Sequence, residues 1–238
     1  MNGLETRFGV VFLPDKRREQ EHYKMLSTVL GQKVEYIRYD ETDLTGLDCV
    51  ILPDDCFLDD HDRFNSNAYL FPVMNQVKVF AESGRLVYGV GDGFRLLCQA
   101  ALLPGNILPA SSRSDGYRSA FLRTENNLLP FTRTLSHGCT IQIQTQHREH
   151  YNADAETIKD MEAHNQVVFR YCTASGIITQ ESSPANSVGT IAGVVNKAGN
   201  VFGILNYSLI DHCKHNHFIF KSIIAEVTQR AMGCIKSM

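Results

Sequence analysis

The chain lacks the excess of positive charge that a phosphate binder needs. Over 238 residues its formal net charge is −3, which argues against nucleic acid as a primary partner. No block of like charge alters that. It also lacks any Cys-x-x-Cys pair. Its seven cysteines are Cys49, Cys56, Cys98, Cys139, Cys172, Cys213 and Cys234, scattered and odd in number. That pattern points to free thiols in a reducing compartment and away from a disulfide framework. The opening Met-Asn-Gly-Leu-Glu-Thr-Arg has no apolar signal core. No apolar run is long enough to span a bilayer. The expectation is a soluble, cytoplasmic protein with no membrane partner. There is no internal repeat and no low-complexity segment.

What is present is ordinary for a globular protein: 43% hydrophobic and 21% charged residues. The length suits a single α/β domain over residues 1–238. Apolar β-rich runs at Phe8–Leu13, Val34–Ile37, Cys49–Leu52 and Leu86–Val90 read as strands. Between them lie helical patterns. One carries Tyr23, Met25, Leu26, Val29 and Leu30 on one side and stops at Gly31. The next runs over Pro72–Ala81 with Val73, Met74, Val77, Val79 and Phe80. Phe94–Leu103 reads as the helix after the fourth strand. This alternation predicts βαβ units and a parallel sheet.

The second half is strand-rich. Tyr117–Arg123, Thr140–Thr145, Val167–Tyr171, Thr190–Val195 and Val201–Leu205 are expected strands. Asn196-Lys-Ala-Gly-Asn200 should join the last two as a hairpin. Asp154–Ala163 and Phe218–Met232 read as helices, and Ser111–Gly116 and Ser175–Asn186 as surface loops. The expected architecture is a central, mostly parallel sheet flanked by helices, with an additional β-rich layer.

The most informative position is occupied by the smallest residue. Leu86-Val-Tyr-Gly-Val-Gly-Asp-Gly-Phe-Arg-Leu-Leu97 reads as buried strand, glycine-dense turn and helix start. That is how a nucleophile elbow is built, with a reactive side chain at its apex. The apex here is Gly91.

Several words of the chain, in order, carry a resemblance. They are Asp40-Glu-Thr-Asp-Leu44 before a strand ending Leu52-Pro53, and Gly89-x-x-x-Gly93-Phe94 at the elbow. Glu125-Asn126-Asn127 follows, with Pro130-Phe131-Thr132, then Gln166-Val-Val-Phe-Arg-Tyr-Cys172. Last come Ile191-Ala-Gly193, Asn196 and Gly199-Asn-Val-Phe-Gly203. Over roughly Phe8 to Leu205 the chain resembles the class I glutamine amidotransferases. Within them it is most like the glutaminase subunit of phosphoribosylformylglycinamidine synthase. That resemblance implies a subunit that hydrolyses glutamine and passes ammonia to a synthetase partner. No cofactor is implied.

The resemblance also implies residues that this chain does not have. Family members carry cysteine at the position of Gly91, in a word like Gly-Ile-Cys-Asn-Gly-Phe-Gln. The base and its orienter come from a word like Met-Pro-His-Pro-Glu, which here reads Leu205-Asn206-Tyr207-Ser208-Leu209. The base position is therefore Tyr207 and the orienter position Leu209. The family's Gly-Gly pair, whose N–H groups stabilise the oxyanion, is replaced by Asp54-Asp55 after Leu52-Pro53. The glutamine after the elbow phenylalanine is Arg95, so Phe94 and Arg95 are the remaining candidate binding residues. Nucleophile, base, orienter and oxyanion loop have changed together. Loss of any one triad member costs orders of magnitude in rate. The simplest expectation is a pseudoenzyme.

Other constellations compete with that reading. Cys56 follows the oxyanion loop, and Gln146-His147-Arg148-Glu149-His150 supplies histidines, so a relocated thiol is conceivable. The plainer reading is a semi-buried Cys56 and a surface loop. Family members have Ala-His-Gly-Glu-Gly-Arg near this place, facing the synthetase, and the chain keeps only His147 and Glu149. Asp211-His212-Cys213-Lys214-His215-Asn216-His217 is rich in metal ligands; His212, Cys213 and His215 are the candidates, and solvated histidines the plain reading. Gly89-x-Gly91-x-Gly93 fails the dinucleotide fingerprint, because the required last glycine is Phe94 and Asp115 lies in a loop. Asp92 is expected to cap the following helix. Three roles stay open: docking on a phosphoribosylformylglycinamidine synthetase as prop or regulator, a free-standing binding module, and amide chemistry through relocated residues.

Overall fold

The centre of the sheet is built from short runs whose side chains are apolar on both faces, and at one edge its strands alternate buried and more exposed residues. A computed structural model describes residues 5–12, 19–54, 71–110, 118–146, 148–205 and 217–236. In chain order the elements are β1 (Arg7–Phe12), α1 (Glu19–Lys24), β2 (Lys33–Arg38), β3 (Cys49–Leu52), α2 (Pro72–Glu82), β4 (Leu86–Val90) and α3 (Asp92–Gln99). Then come β5 (Asn106–Pro109), β6 (Arg118–Thr124), β7 (Thr140–Thr145), β8 (Glu149–Asn152), α4 (Ala155–Ala163), β9 (Val167–Cys172), β10 (Ile191–Val195), β11 (Val201–Ile204) and α5 (Phe218–Lys236).

Among the described residues one sheet runs in the order β2-β1-β3-β4-β11-β10-β9-β6-β7. From β2 to β11 the neighbours are parallel. Every residue of β3 and β4 is buried, as expected of parallel strands covered on both faces. From β11 onward the neighbours are antiparallel. The β-rich second half therefore adds to the fold by extending the same sheet sideways. A separate two-stranded ribbon pairs β5 with β8.

The Asn196–Asn200 turn forms as expected. The Asn196 side-chain oxygen accepts from the N–H groups of Asn200 and Val201, both at 3.0 Å. Asn200 in turn donates to the carbonyls of Ala81 and Arg85 at 2.7 and 2.8 Å. Those bonds tie the hairpin to the turn between α2 and β4, fixing β11 beside β4. The start of α5 packs on the sheet, with the Phe220 ring edge-on to Phe8 and Tyr88.

Some helices differ from their sequence expectation. Only Leu26, of the five apolar residues expected on the first helical face, is buried, together with His22. The chain widens into a π turn over Met25–Val29, which rotates Val29 outward to 60% exposure. In α2 the core face is Val73, Met74, Val77, Phe80 and Ala81 at helical spacing. Val79 falls between those positions and is exposed. The helix expected to reach Leu103 ends at Gln99, and Ala101 turns left-handed at φ 56°. Leu103 still reaches the core by that turn. The ribbon β5–β8 was not expected, because four-residue strands containing Asn106, Pro109 and Glu149 carry no clear alternation. Of the expected surface loops, Ser111–Gly116 lies outside the described residues, and Ser175–Asn186 is irregular with one short helical turn at Gln180–Ser182. No described helix is long and apolar enough to cross a membrane.

Candidate functional site

The carboxyl ends of adjacent parallel strands meet at one place, where open α/β sheets hold their ligands. There β3 delivers Asp54, β4 delivers Gly91, and β11 ends at Ile204. The Gly91 N–H donates to the Ile204 carbonyl at 3.0 Å, and its own carbonyl accepts from the Arg95 N–H at 3.1 Å. The elbow is therefore stitched to β11 on one side and to the first turn of α3 on the other.

Gly91 has φ 54° and ψ −115°, a conformation that strains any residue with a side chain. The expected turn is present, and α3 begins directly after it. Gly93 lets α3 approach β3: a Cβ there would lie 2.5 Å from the Leu52 carbonyl carbon. Close approach brings the helix N-terminus, with its unpaired N–H groups, over the end of β3. One of those groups is taken. The Asp92 N–H donates to Asp54 Oδ1 at 3.0 Å.

Asp92 does not cap the helix through its side chain, contrary to the expectation. Gly91 stands at the cap position, and Asp92 is the first helical residue. Its carboxylate turns to Arg95, with Nη2 to Oδ1 at 3.1 Å. The two side chains are 0% and 2% exposed, and an acid in the first turn also suits the helix dipole. Arg95 further donates to Gln99 Oε1 at 3.4 Å. Phe94 is wholly buried and stacks on Tyr151 of β8, centroids 6.0 Å apart. The two candidate binding residues thus turn inward. Phe94 holds the ribbon against α3, and Arg95 neutralises a buried acid.

Of the other candidates, Tyr207, Leu209, Asp55, Cys56, His147, His212, Cys213 and His215 lie outside the described residues. Glu149 and His150 do not stand on a surface loop. They begin β8, where Glu149 is buried and His150 is half-buried. Desolvation lowers the His150 pKa below its ordinary value. Cys49, Cys98, Cys139 and Cys172 are free thiols. Burial pushes the thiols of Cys49, Cys98 and Cys172 upward, so they stay protonated and poorly nucleophilic. The bond from Asp54 to the Asp92 amide, and the Asp92–Arg95 pair, were missed from sequence. The charged pattern Asp-x-x-Arg at a helix start was the available signal for the second.

Comparison with known proteins accords with this arrangement. Residues 61–230 match the CobB/CobQ-like glutamine amidotransferase domain. The phosphoribosylformylglycinamidine synthase subunit PurQ of Moorella thermoacetica is 38% identical over 200 residues, covering 84% of this chain and 85% of that one. The same subunit of Salinibacter ruber is 39% identical over 203 residues, covering 85% and 86%. Among solved structures, PurLQS from Thermotoga maritima superposes with a TM-score of 0.77 at 26% identity, over 94% of this chain and 100% of that one. The glutaminase domain of Trypanosoma brucei CTPS, at 10% identity and a TM-score of 0.58, covers 93% and 94% and shares the fold. The chain belongs to the class I glutamine amidotransferases, in the family of the purine-biosynthesis glutaminase subunit PurQ.

Proposed function

We propose that this chain is a catalytically degenerate PurQ-type subunit, which releases no ammonia from glutamine and serves a phosphoribosylformylglycinamidine synthetase as a structural or regulatory partner. The observation that carries this reading is Gly91 at the apex of a nucleophile elbow that keeps its backbone shape. A thiolate attack needs a thiol there, and glycine has no side chain to supply one. The positions corresponding to the base and orienter, Tyr207 and Leu209, are a phenol and an alkyl group. Neither relays a proton at neutral pH as a histidine–carboxylate pair does. Asp54, bonded to the Asp92 amide, places negative charge where charge of the same sign would develop, and a second acid, Asp55, follows it in sequence.

The frame is retained while the chemistry is not. Relatives of similar length are named as synthase subunits, and the match spans 100% of the Thermotoga chain. A fold preserved over most of the relatives' length, read as one amidotransferase-like domain over residues 1–238, is best explained by a surface that a synthetase still uses. Affinity capture with the tagged chain from its own cell tests this. A synthetase should be retained in stoichiometric amount at physiological salt. Its absence from the capture, when the synthetase is present in the lysate, contradicts the partner assignment.

A further inference from the structure

The elbow has lost its nucleophile, and another group of this chain occupies the place. A Cβ built on Gly91 would overlap the Asp54 carboxylate, with Cγ at 2.6 Å and the Asp54 Cβ at 3.0 Å. A side chain at position 91 and the carboxylate of Asp54 therefore compete for one volume. The carboxylate is also held by a bond of particular meaning. At a nucleophile elbow, the N–H of the residue after the nucleophile donates to the oxyanion. Here that residue is Asp92, and its N–H donates to Asp54 Oδ1 at 3.0 Å. Oxyanion donors work at about 2.7–3.1 Å from the oxygen they stabilise. Asp54 Oδ1 thus stands where a tetrahedral oxyanion would stand, carries the same charge, and meets the same donor.

We propose that Asp54 is a built-in occupant of the oxyanion pocket, an internal mimic of the oxyanion that closes the site to carboxamide substrates. This rests on Gly91 being the vacated apex. The changes at 54 and 91 are then one device. The carboxylate fits only because Gly91 has no Cβ. The helix N-terminus keeps a negatively charged ligand in the absence of any catalytic thiolate. A carboxamide oxygen approaching the Asp92 amide would have to displace a charged acceptor with a neutral one, and charged acceptors make the stronger bond.

The test couples the two positions. Gly91→Cys is made alone and with Asp54→Gly, in the full chain. Alkylation of the introduced thiol by iodoacetamide at pH 7 is read by peptide mass spectrometry. Thermal midpoints are taken for these proteins, for Asp54→Gly alone and for the parent. With Asp54 present, the thiol is crowded by a carboxylate that disfavours its ionisation. With Asp54 removed, it sits at a helix N-terminus, which lowers a thiol pKa. The expected result is alkylation at least about ten-fold faster in the double variant. The drop in midpoint on adding cysteine should also be clearly smaller in the Asp54→Gly background. A failure of Gly91→Cys to fold where the double variant folds is the same coupling in its extreme form. Equal alkylation rates with additive midpoints overturn the proposal. If neither cysteine protein folds, Gly91→Ala in the two backgrounds replaces it, and equal losses of midpoint overturn it. Glutamate release by the parent would contradict the degenerate-subunit reading and leave this coupling to be judged by its own result.

Discussion

Arg95 Nη2 lies 3.1 Å from Asp92 Oδ1 inside the first turn of α3, with both side chains shut away from water. A buried acid next to the elbow is tolerable because a guanidinium one turn on matches it. Removing one partner strands the other charge, at a cost of about 3–5 kcal/mol. Arg95→Met should therefore destabilise the chain by about that amount in urea denaturation. Asp92→Leu combined with Arg95→Met should recover much of the loss, since a buried ion pair is often replaceable by apolar groups of similar volume. A single variant that loses nothing would mean the pair is unimportant to the elbow.

His22 supplies a pH dependence. It is buried, its ring edge-on to Phe220 at 6.1 Å, and neither ring nitrogen has a hydrogen-bond partner among the described residues. Desolvation lowers its pKa from 6.5 to about 4. The folded pKa is depressed, so between about 6.5 and 4 the unfolded chain binds the proton and the folded chain does not. Stability from this group is intact above 6.5 and is lost as the pH falls through that window. The loss should approach about 3 kcal/mol. Urea denaturation at pH 7 and pH 4.5 checks it. The His22→Leu variant should show a flatter profile than the parent; an identical profile would contradict the assignment.

Gly93 is a packing requirement of the elbow. A Cβ there meets the backbone of Leu52, whose carbonyl carbon would be 2.5 Å away. Backbone does not give way as a side-chain tip does. Gly93→Ala should cost at least about 1–3 kcal/mol, the range for overpacking. Gly84→Ala is the comparison. Unlike Gly93 it has positive φ, at 81°, which strains an alanine by itself, but a Cβ there meets nothing within 4 Å. Its loss should be smaller.

Restoring the triad positions alone should not restore an enzyme. Gly91→Cys, Tyr207→His and Leu209→Glu supply nucleophile, base and orienter. Asp54 would still compete with the new side chain at 91 for the space beside the Asp92 amide and keep a negative charge there. One lost oxyanion donor costs roughly 100- to 1000-fold. The triple variant should stay near background in a glutamate-release assay. Adding Asp54→Gly and Asp55→Gly should raise its rate by at least about an order of magnitude. A triple variant that is fully active would show that the oxyanion loop was never disabled.

Much of this was legible in the sequence, for physical reasons that also explain the gaps. Glycine at 89, 91 and 93 between a buried strand and an amphipathic helix specifies an elbow locally, and the elbow is there. The Asn196–Asn200 hairpin was equally local. Asp54 meeting the Asp92 amide was not, because the two are 38 residues apart in sequence. That contact depends on the parallel register that sets Leu52 opposite Gly89. Asp92 read as a cap because an acid before a helix usually is one. Arg95 changed its role through burial, which one-dimensional pattern does not report. The ribbon β5–β8 was illegible because its stability comes from packing under α3, through Tyr151 against Phe94, and not from its own propensity. Glu149 read as a loop residue for the same reason.

The central claim is that the frame of a glutaminase persists here without its chemistry. Glutamate released from glutamine by the purified parent chain, alone and with a phosphoribosylformylglycinamidine synthetase, tests it most directly. The account predicts no release above a buffer control in either case. Release that grows with protein concentration, survives a metal chelator and disappears on Cys56→Ala would contradict it, and would assign the chemistry to a relocated thiol.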